Sequence, residues 1–297
     1  MARILITGST GYLGKRVVQL LIEQAADIEL LCLCRNISKA KDKLPYSQCR
    51  FAEIQETETI LSFQPDVILH LAAYSTSSHE RKDINPLIES NIKYGIWLLD
   101  TLRQMPCHNL TFVNTGSFAE YRLGKEEGLR PAYLYTATKA AFRQFLNFYH
   151  DLMGFRLITA IPYSVYGGNT TRKQLMDYML ESMEAPEAVK MSPGEQILDF
   201  VHADDVAQFF VNCALHPNDI AEGEYHLGTG KGTSVRALAD LISQLSGKTL
   251  NIEWGGLNYR PLDVMRAIAP KDKKLQSFWQ PKIDLQKGIR TLLQEKH

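Results

Sequence analysis

The chain has 297 residues, 45% hydrophobic and 22% charged, which suits a globular protein built as one large domain or a domain with a smaller companion. Its 33 basic and 33 acidic side chains cancel, which sets aside a polyanion-binding surface and nucleic acid as a partner. No apolar run reaches the roughly 18 residues of a membrane span, and "MARILITG" enters an apolar strand with no signal-peptide pattern, so a cytoplasmic protein without a membrane partner is expected.

The elements alternate. "RILITG" (3–8) is a short apolar strand ending in glycine, and "GYLGKRVVQLLIEQA" follows with Leu13, Val17, Leu20 and Leu21 at helical spacing. "IELLCLC" (28–34) and "DVILHLAA" (66–73) are continuous apolar runs, the pattern of strands covered on both faces. A helix is expected over 86–104, a strand over 109–117, a helix over 135–153 and a strand over 155–164. After Ser164 the pattern loosens. "YGGNTTRK" reads as a loop, 173–184 as a helix, and "GEQILDFVHADDVAQFFVNCAL" as a strand and a helix capped near Asp204 or Asp205. "VRALADLISQLSG" and "DLQKGIRTLLQEK" are further helices, separated by a tail over 254–270 rich in Gly, Pro and Arg. This alternation predicts an α/β, doubly wound parallel sheet over 1–165, with returning segments near 197–228, and a smaller α/β lobe mainly within 166–297.

The five cysteines (Cys32, Cys34, Cys49, Cys107, Cys213) lie in apolar segments, are odd in number and form no C-x-x-C, which predicts reduced, packed thiols. Cys32 and Cys34 share a strand face, but no cluster with ligand spacing accompanies them, and no metal site is expected. His70, His202 and His226 each stand alone beside apolar residues, so structural roles are expected there.

"TGSTGYLG" places Gly8, Gly11 and Gly14 between the first strand and the first helix. Glycines permit the tight turn and let backbone N–H groups approach a pyrophosphate, while the helix N-terminus favours its charge. In that context the loop predicts dinucleotide binding. The second strand ends in "LCLCRN", with Arg35 where an acid would accept the ribose 2′-hydroxyl of NAD. Arginine pairs instead with a 2′-phosphate, so NADP is expected over NAD.

Tyr-x-x-x-Lys occurs twice, where 13 tyrosines and 18 lysines over 297 positions give about 0.8 matches by chance. Tyr121 and Lys125 are followed by "EEGLRP", and Gly124, Gly128 and Pro131 break any helix there. Tyr135 and Lys139 run into "AAFRQFLNFY", so i and i+4 share a helix face and a lysine ammonium could lower the tyrosine pKa. Ser117, just past the strand "LTFVNTG", completes a set with a hydroxyl for a substrate carbonyl.

These motifs resemble the extended short-chain dehydrogenase/reductase family of nucleotide-sugar epimerases, dehydratases and reductases. "TGSTGYLG", "DVILHLAA", Asn91 with Gly95 in "NIKYGIWLL", "VNTGSFAEY", "YLYTATK", "IPYSVYG", "LDFVHADDVA" and "YRPLDV" occur in the family's order over nearly the whole chain. The resemblance implies a Rossmann fold with Ser117, Tyr135 and Lys139 as the catalytic set. It further implies that Tyr12 and Leu13 line the pyrophosphate, that Glu53 and Ile54 flank the adenine, and that Leu71, Ala72 and Ala73 line the cofactor cleft. Asn91 would support that cleft, Tyr163 would lie near the nicotinamide, and Ser164 and Arg260 would meet the sugar nucleotide. A short Ser117-to-Tyr135 gap suggests a trimmed loop and leaves Thr115 as the competitor of Ser117.

Within the family, dehydratases carry an Asp-Glu pair after the serine or threonine, whereas this chain has Phe118 and Ala119. Epimerases keep NAD, which fits poorly with Arg35. The segment around Tyr135 looks most like reductases of nucleotide-linked 4-keto-6-deoxyhexoses, the abequose- and paratose-type CDP-sugar synthases of deoxysugar and O-antigen biosynthesis. The resemblance therefore implies NADPH-dependent reduction at C4 of a CDP- or dTDP-sugar, with a 4-epimerase or a non-catalytic NADP-binding protein as alternatives. A homodimer through helices like 86–104 and 135–153 is expected on the same ground.

Overall fold

The computed structural model describes residues 2–168 and 173–295, so positions 169–172 of the expected "YGGNTTRK" loop and Lys296 of the last helix lie outside the described residues. Six parallel strands come first: β1 Ala2–Thr7, β2 Ile28–Cys34, β3 Cys49–Glu53, β4 Val67–His70, β5 Thr111–Thr115 and β6 Arg156–Pro162. Their spatial order is β6-β5-β4-β1-β2-β3, and Gly223–Leu227 adds a seventh strand beside β6. The chain thus starts in the middle and winds outward twice, leaving a crevice at the C-terminal ends of β1 and β4, where the direction of winding reverses.

Strand alternation explains the continuous apolar runs. Ile4, Ile6, Leu30 and Cys32 face one core layer, with Val17, Val18 and Leu21 of the helix Tyr12–Gln24 and Phe209 and Phe210 of the helix Ala203–Leu215. Leu5, Leu31, Leu33 and Ile68 face the other, with Leu98 and Leu99 of the helix Tyr94–Leu102 and Phe142 and Leu146 of the helix Leu134–Met153. Each such fully buried side chain contributes roughly 1.5–3 kcal/mol. The expected helix over 86–104 begins earlier, as Ile84–Ile88, and passes through a π-helical stretch Glu89–Lys93 before Tyr94–Leu102. The helix Ala203–Leu215 is capped by neither aspartate. His202 is its N-cap, its Nδ1 accepting the Asp204 N–H at 3.2 Å, and both acids occupy the first turn.

Beyond β6, short strands carry the smaller lobe. Ser164–Tyr166 pairs with Phe200–His202, Val189–Met191 with Ile252–Trp254, and Ile197–Leu198 lies between Thr233–Ser234 and Arg266–Ala267. A separate apolar core joins Met179, Leu238, Ile242 and Ile289. Asp199 fastens this region, accepting from Thr229 N, Thr229 Oγ1, Gly230 N and Ala269 N at 2.6–3.1 Å. All five cysteines are buried and unpaired. Among the described residues no helix is long and apolar enough to cross a membrane, and no group of three His, Cys, Asp or Glu could hold a metal ion.

Candidate active site

Two cavities meet the sheet's C-terminal edge. The larger, about 650 Å³, is lined by Gly8, Gly11, Arg35, Ile54, Leu71, Ala72 and Ala73, among others. Gly8 has φ +71°, and a Cβ there would lie 2.7 Å from the Ala72 nitrogen. A Cβ on Gly14 would lie 2.1 Å from the Gly8 oxygen, so Gly14 is spent on packing helix against turn and does not line the cavity. The helix Tyr12–Gln24 has Gly11 as N-cap with no side-chain cap, which leaves its first N–H groups facing the loop. A glycine cradle, an uncapped helix N-terminus and an elongated cleft with Arg35 at its rim fit a dinucleotide.

Not every expected cofactor residue reaches this cavity with its side chain. Tyr12 donates its hydroxyl to the Gly167 carbonyl, and Leu13 packs into the core, so neither side chain lines the cleft. Glu53 is exposed at the end of β3, while Ile54 lines the cleft. Asn91, in the π-helical stretch, works at one remove. Its Oδ1 accepts the Tyr74 N–H at 2.7 Å, and its Nδ2 donates to Tyr74 O at 3.0 Å and to Thr138 Oγ1 at 2.9 Å.

The smaller cavity, about 370 Å³, brings together Ser75, Thr115, Ser117, Phe118, Tyr135, Tyr163 and Ser164. Thr115 donates its hydroxyl to the His70 carbonyl at 3.0 Å. Ser117 caps the short turn Phe118–Glu120 by accepting the Ala119 N–H at 3.3 Å, which leaves its own O–H to donate. Tyr163 hydrogen-bonds His226 Nδ1 at 3.2 Å and stacks on Phe118. Arg260 does not line this cavity. It is exposed and stands 5.8 Å from the Tyr133 ring, whose hydroxyl donates to Asp263 at 2.5 Å.

Tyr135 and Lys139 lie one turn apart on the helix Leu134–Met153. Burial brings Lys139 down to about 8, opposed by the negative charge of Glu120. The expected depression of Tyr135 is not what this site does: burial, then Glu120, raise its pKa, and a hydrogen bond from Ser75 opposes them. The phenol is therefore held protonated, the form needed in a proton donor. Tyr121 and Lys125 do not share a helix. Tyr121 is buried on Arg143 and Glu224, and Lys125 is exposed in a separate turn whose N-cap Gly124 has φ +105°.

Ser75, Glu120 and Arg143 are not among the residues expected at the site from the sequence. Ser75 carried a signal, a hydroxyl just past the third apolar strand, and Arg143 repeats the four-residue spacing of Tyr135 and Lys139. His70 is buried among Phe112 and Phe142 with Nδ1 3.0 Å from Thr7 Oγ1, and burial takes it to about 3, so it is neutral.

A doubly wound sheet with a glycine cradle and a Tyr/Lys pair at its C-terminal edge defines the class of nicotinamide-dinucleotide-dependent enzymes. The sequence model of the NAD dependent epimerase/dehydratase family matches residues 4–228. The chain belongs to that family. It is 26% identical to a CDP-abequose synthase of Yersinia pseudotuberculosis over 99% of this chain and 100% of that one. It is 24% identical to a UDP-glucuronate 4-epimerase of Thermodesulfobacterium geofontis over 98% and 94% of the two chains. Among solved structures, a UDP-glucuronic acid 4-epimerase of Bacillus cereus, in complex with UDP-glucuronic acid and NAD, superposes with a TM-score of 0.86 at 19% identity, covering 99% of this chain and 100% of that one.

Proposed function

We propose that the protein reduces the C4 keto group of a nucleotide-linked 4-keto-6-deoxyhexose, a CDP- or dTDP-sugar, at the expense of NADPH, with 166–297 as mainly the substrate lobe. The observation that carries this is the turn after Ser117. Phe118 lines the cavity, Ala119 is buried, and the one carboxylate, Glu120, is fully buried on the Ser117 N–H, so no acid from this turn faces a substrate. Elimination of water would need such a group. What remains is a protonated phenol beside two hydroxyls, Ser117 and Ser75, a set suited to a carbonyl that becomes an alcohol.

The bound cofactor would supply hydride to the carbonyl carbon. Tyr135 delivers its proton to the developing C4 alkoxide. Ser117 donates a hydrogen bond to the same oxygen, where charge builds up. Lys139, as an ammonium, stabilises the phenolate left on Tyr135 and binds the nicotinamide ribose. Arg35, at the rim of the larger cavity, supports NADPH over NADH, because a guanidinium matches a 2′-phosphate and cannot accept from a 2′-hydroxyl. The relatives named as CDP-abequose synthases support a deoxysugar substrate.

An NAD-dependent 4-epimerase is the second reading, supported by the epimerases among the relatives. NADPH oxidation against a panel of CDP-, dTDP- and GDP-4-keto-6-deoxy sugars separates the two. A reductase consumes cofactor in proportion to sugar, whereas an epimerase turns over with none added. A homodimer is supported by exposed apolar side chains on neighbouring helices, Ile84 and Ile88 on one and Phe145, Phe148 and Leu152 on the other.

A further inference from the structure

We propose that Glu120 is a positioning residue of this site: a buried carboxylate that fixes the Ser117 backbone and serves as the counter-charge that keeps Lys139 an ammonium. The inference rests on the reading of Tyr135 and Lys139 as the proton-transfer pair. Glu120 is 0% exposed, its Oε1 accepts the Ser117 N–H at 2.6 Å, and its Oε2 lies 3.4 Å from Arg143 Nη1. The fit is close, since a Cβ on Gly116 would come within 2.9 Å of Oε1.

The helix Leu134–Met153 presents Tyr135, Lys139 and Arg143 at successive four-residue steps, a single face. Two of these three are cations, and both are nearly inaccessible, Lys139 at 4% and Arg143 at 8% exposed. Arg143 has a second acid, Glu224 on the strand Gly223–Leu227, and holds the Tyr121 hydroxyl at 2.6 Å. Among the described residues, Glu120 is the one acid whose charge acts on Lys139. Two other titratable groups close to it are uncharged: His70 at the end of β4, which the Lys139 charge acts on, and Tyr135 one turn before it. Burial raises the Glu120 carboxyl, and Arg143 and then Lys139 oppose that rise, so the acid and the lysine each favour the other's charged form, and removing Glu120 leaves Lys139 without that support. A buried lysine in that position gives up its proton, because desolvation disfavours the ammonium.

The sign follows. With Glu120 in place Lys139 titrates near 8 in the cofactor-free protein. Without that negative charge the midpoint falls, and the ammonium that supports Tyr135 is lost at neutral pH. Where turnover is measured, the basic limb of kcat/KM moves to lower pH in Glu120→Gln. The amide retains an acceptor for the Ser117 N–H, so the turn itself is kept.

The test does not depend on the substrate. Protein labelled with ¹³Cε-lysine is titrated, with the Lys139 resonance identified by its loss in Lys139→Arg. The Lys139 midpoint is expected to fall by about one pH unit or more in Glu120→Gln. An unchanged midpoint in a folded variant overturns the proposal, and a merely structural role would lower stability without moving it. Wild-type protein labelled with ¹³Cδ-glutamate gives a check that needs no folded variant, since the Glu120 carboxyl should show an inflection at the Lys139 midpoint. Its absence also overturns the proposal. If the midpoint moves but no keto sugar is reduced, the proposal stands and the substrate reading fails. If a keto sugar is reduced through Tyr135 and the midpoint does not move, the proposal fails alone.

Discussion

Asn91 Nδ2 donates to Thr138 Oγ1 at 2.9 Å, and through that bond the segment following β4 is tied to the helix that carries Tyr135 and Lys139. The same amide meets both backbone groups of Tyr74, so one buried side chain sets the spacing between the cofactor cleft and the proton donor. Replacing it with leucine removes three hydrogen bonds, each contributing roughly 0.5–1.5 kcal/mol net. Asn91→Leu is expected to lose at least about 2 kcal/mol in urea unfolding and to weaken dinucleotide binding as well. A variant as stable as wild type would remove this linking role.

Gly8 and Gly128 both have positive φ, +71° and +68°, but their surroundings differ. At Gly8 a methyl group strikes the backbone of Leu71 and Ala72, whereas at Gly128 it meets nothing within 4 Å. Gly128→Ala should cost only backbone strain, about 1–3 kcal/mol because φ +68° with ψ −162° is a region glycine alone visits freely, with cofactor affinity unchanged. Gly8→Ala should abolish dinucleotide binding in a calorimetric titration. Equal behaviour of the two variants would show that the cradle is not the binding site.

Arg35 is the point on which cofactor choice turns. A charge-assisted bond to a 2′-phosphate is worth roughly 1.5–3 kcal/mol, or about ten- to a hundredfold in affinity. Arg35→Asp is expected to reduce the NADPH-to-NADH affinity ratio by at least about tenfold, by adding an acceptor for the 2′-hydroxyl and repelling the phosphate. An unchanged ratio in fluorescence titrations would withdraw the NADP assignment.

How much of this was readable in the sequence depended on whether the deciding contact was local. The runs 28–34 and 66–73 announced buried parallel strands because both faces are covered, and "YTATKAAF" announced a helix face. The edge strand β3, "CRFAE", carries charged residues and one covered face, so it gives no such run. The strand "GEYHL" joins the sheet from more than 60 residues beyond its neighbour β6, a pairing that periodicity does not encode. Glu120 gives no signal in the sequence, because its partners Arg143 and Ser117 are brought together only when the turn packs on the helix.

Phe148 and Leu152, at 61% and 56% exposed, are too large and too close together to be left in water without cost. The pair Phe148→Glu with Leu152→Glu should convert a two-chain species into a single chain by sedimentation velocity, with little change in thermal unfolding of the chain itself. A wild-type protein that sediments as one chain would end the dimer reading.

The central claim is that Tyr135 donates the proton in an NADPH-dependent ketone reduction. The direct measurement is NADPH oxidation with CDP- and dTDP-4-keto-6-deoxy sugars by wild-type protein and by Tyr135→Phe, with cofactor affinity measured in parallel. One of these sugars should be reduced with one NADPH consumed per sugar. The variant should lose at least about a hundredfold in kcat while binding NADPH as before. Turnover by Tyr135→Phe close to the wild-type rate would contradict the account.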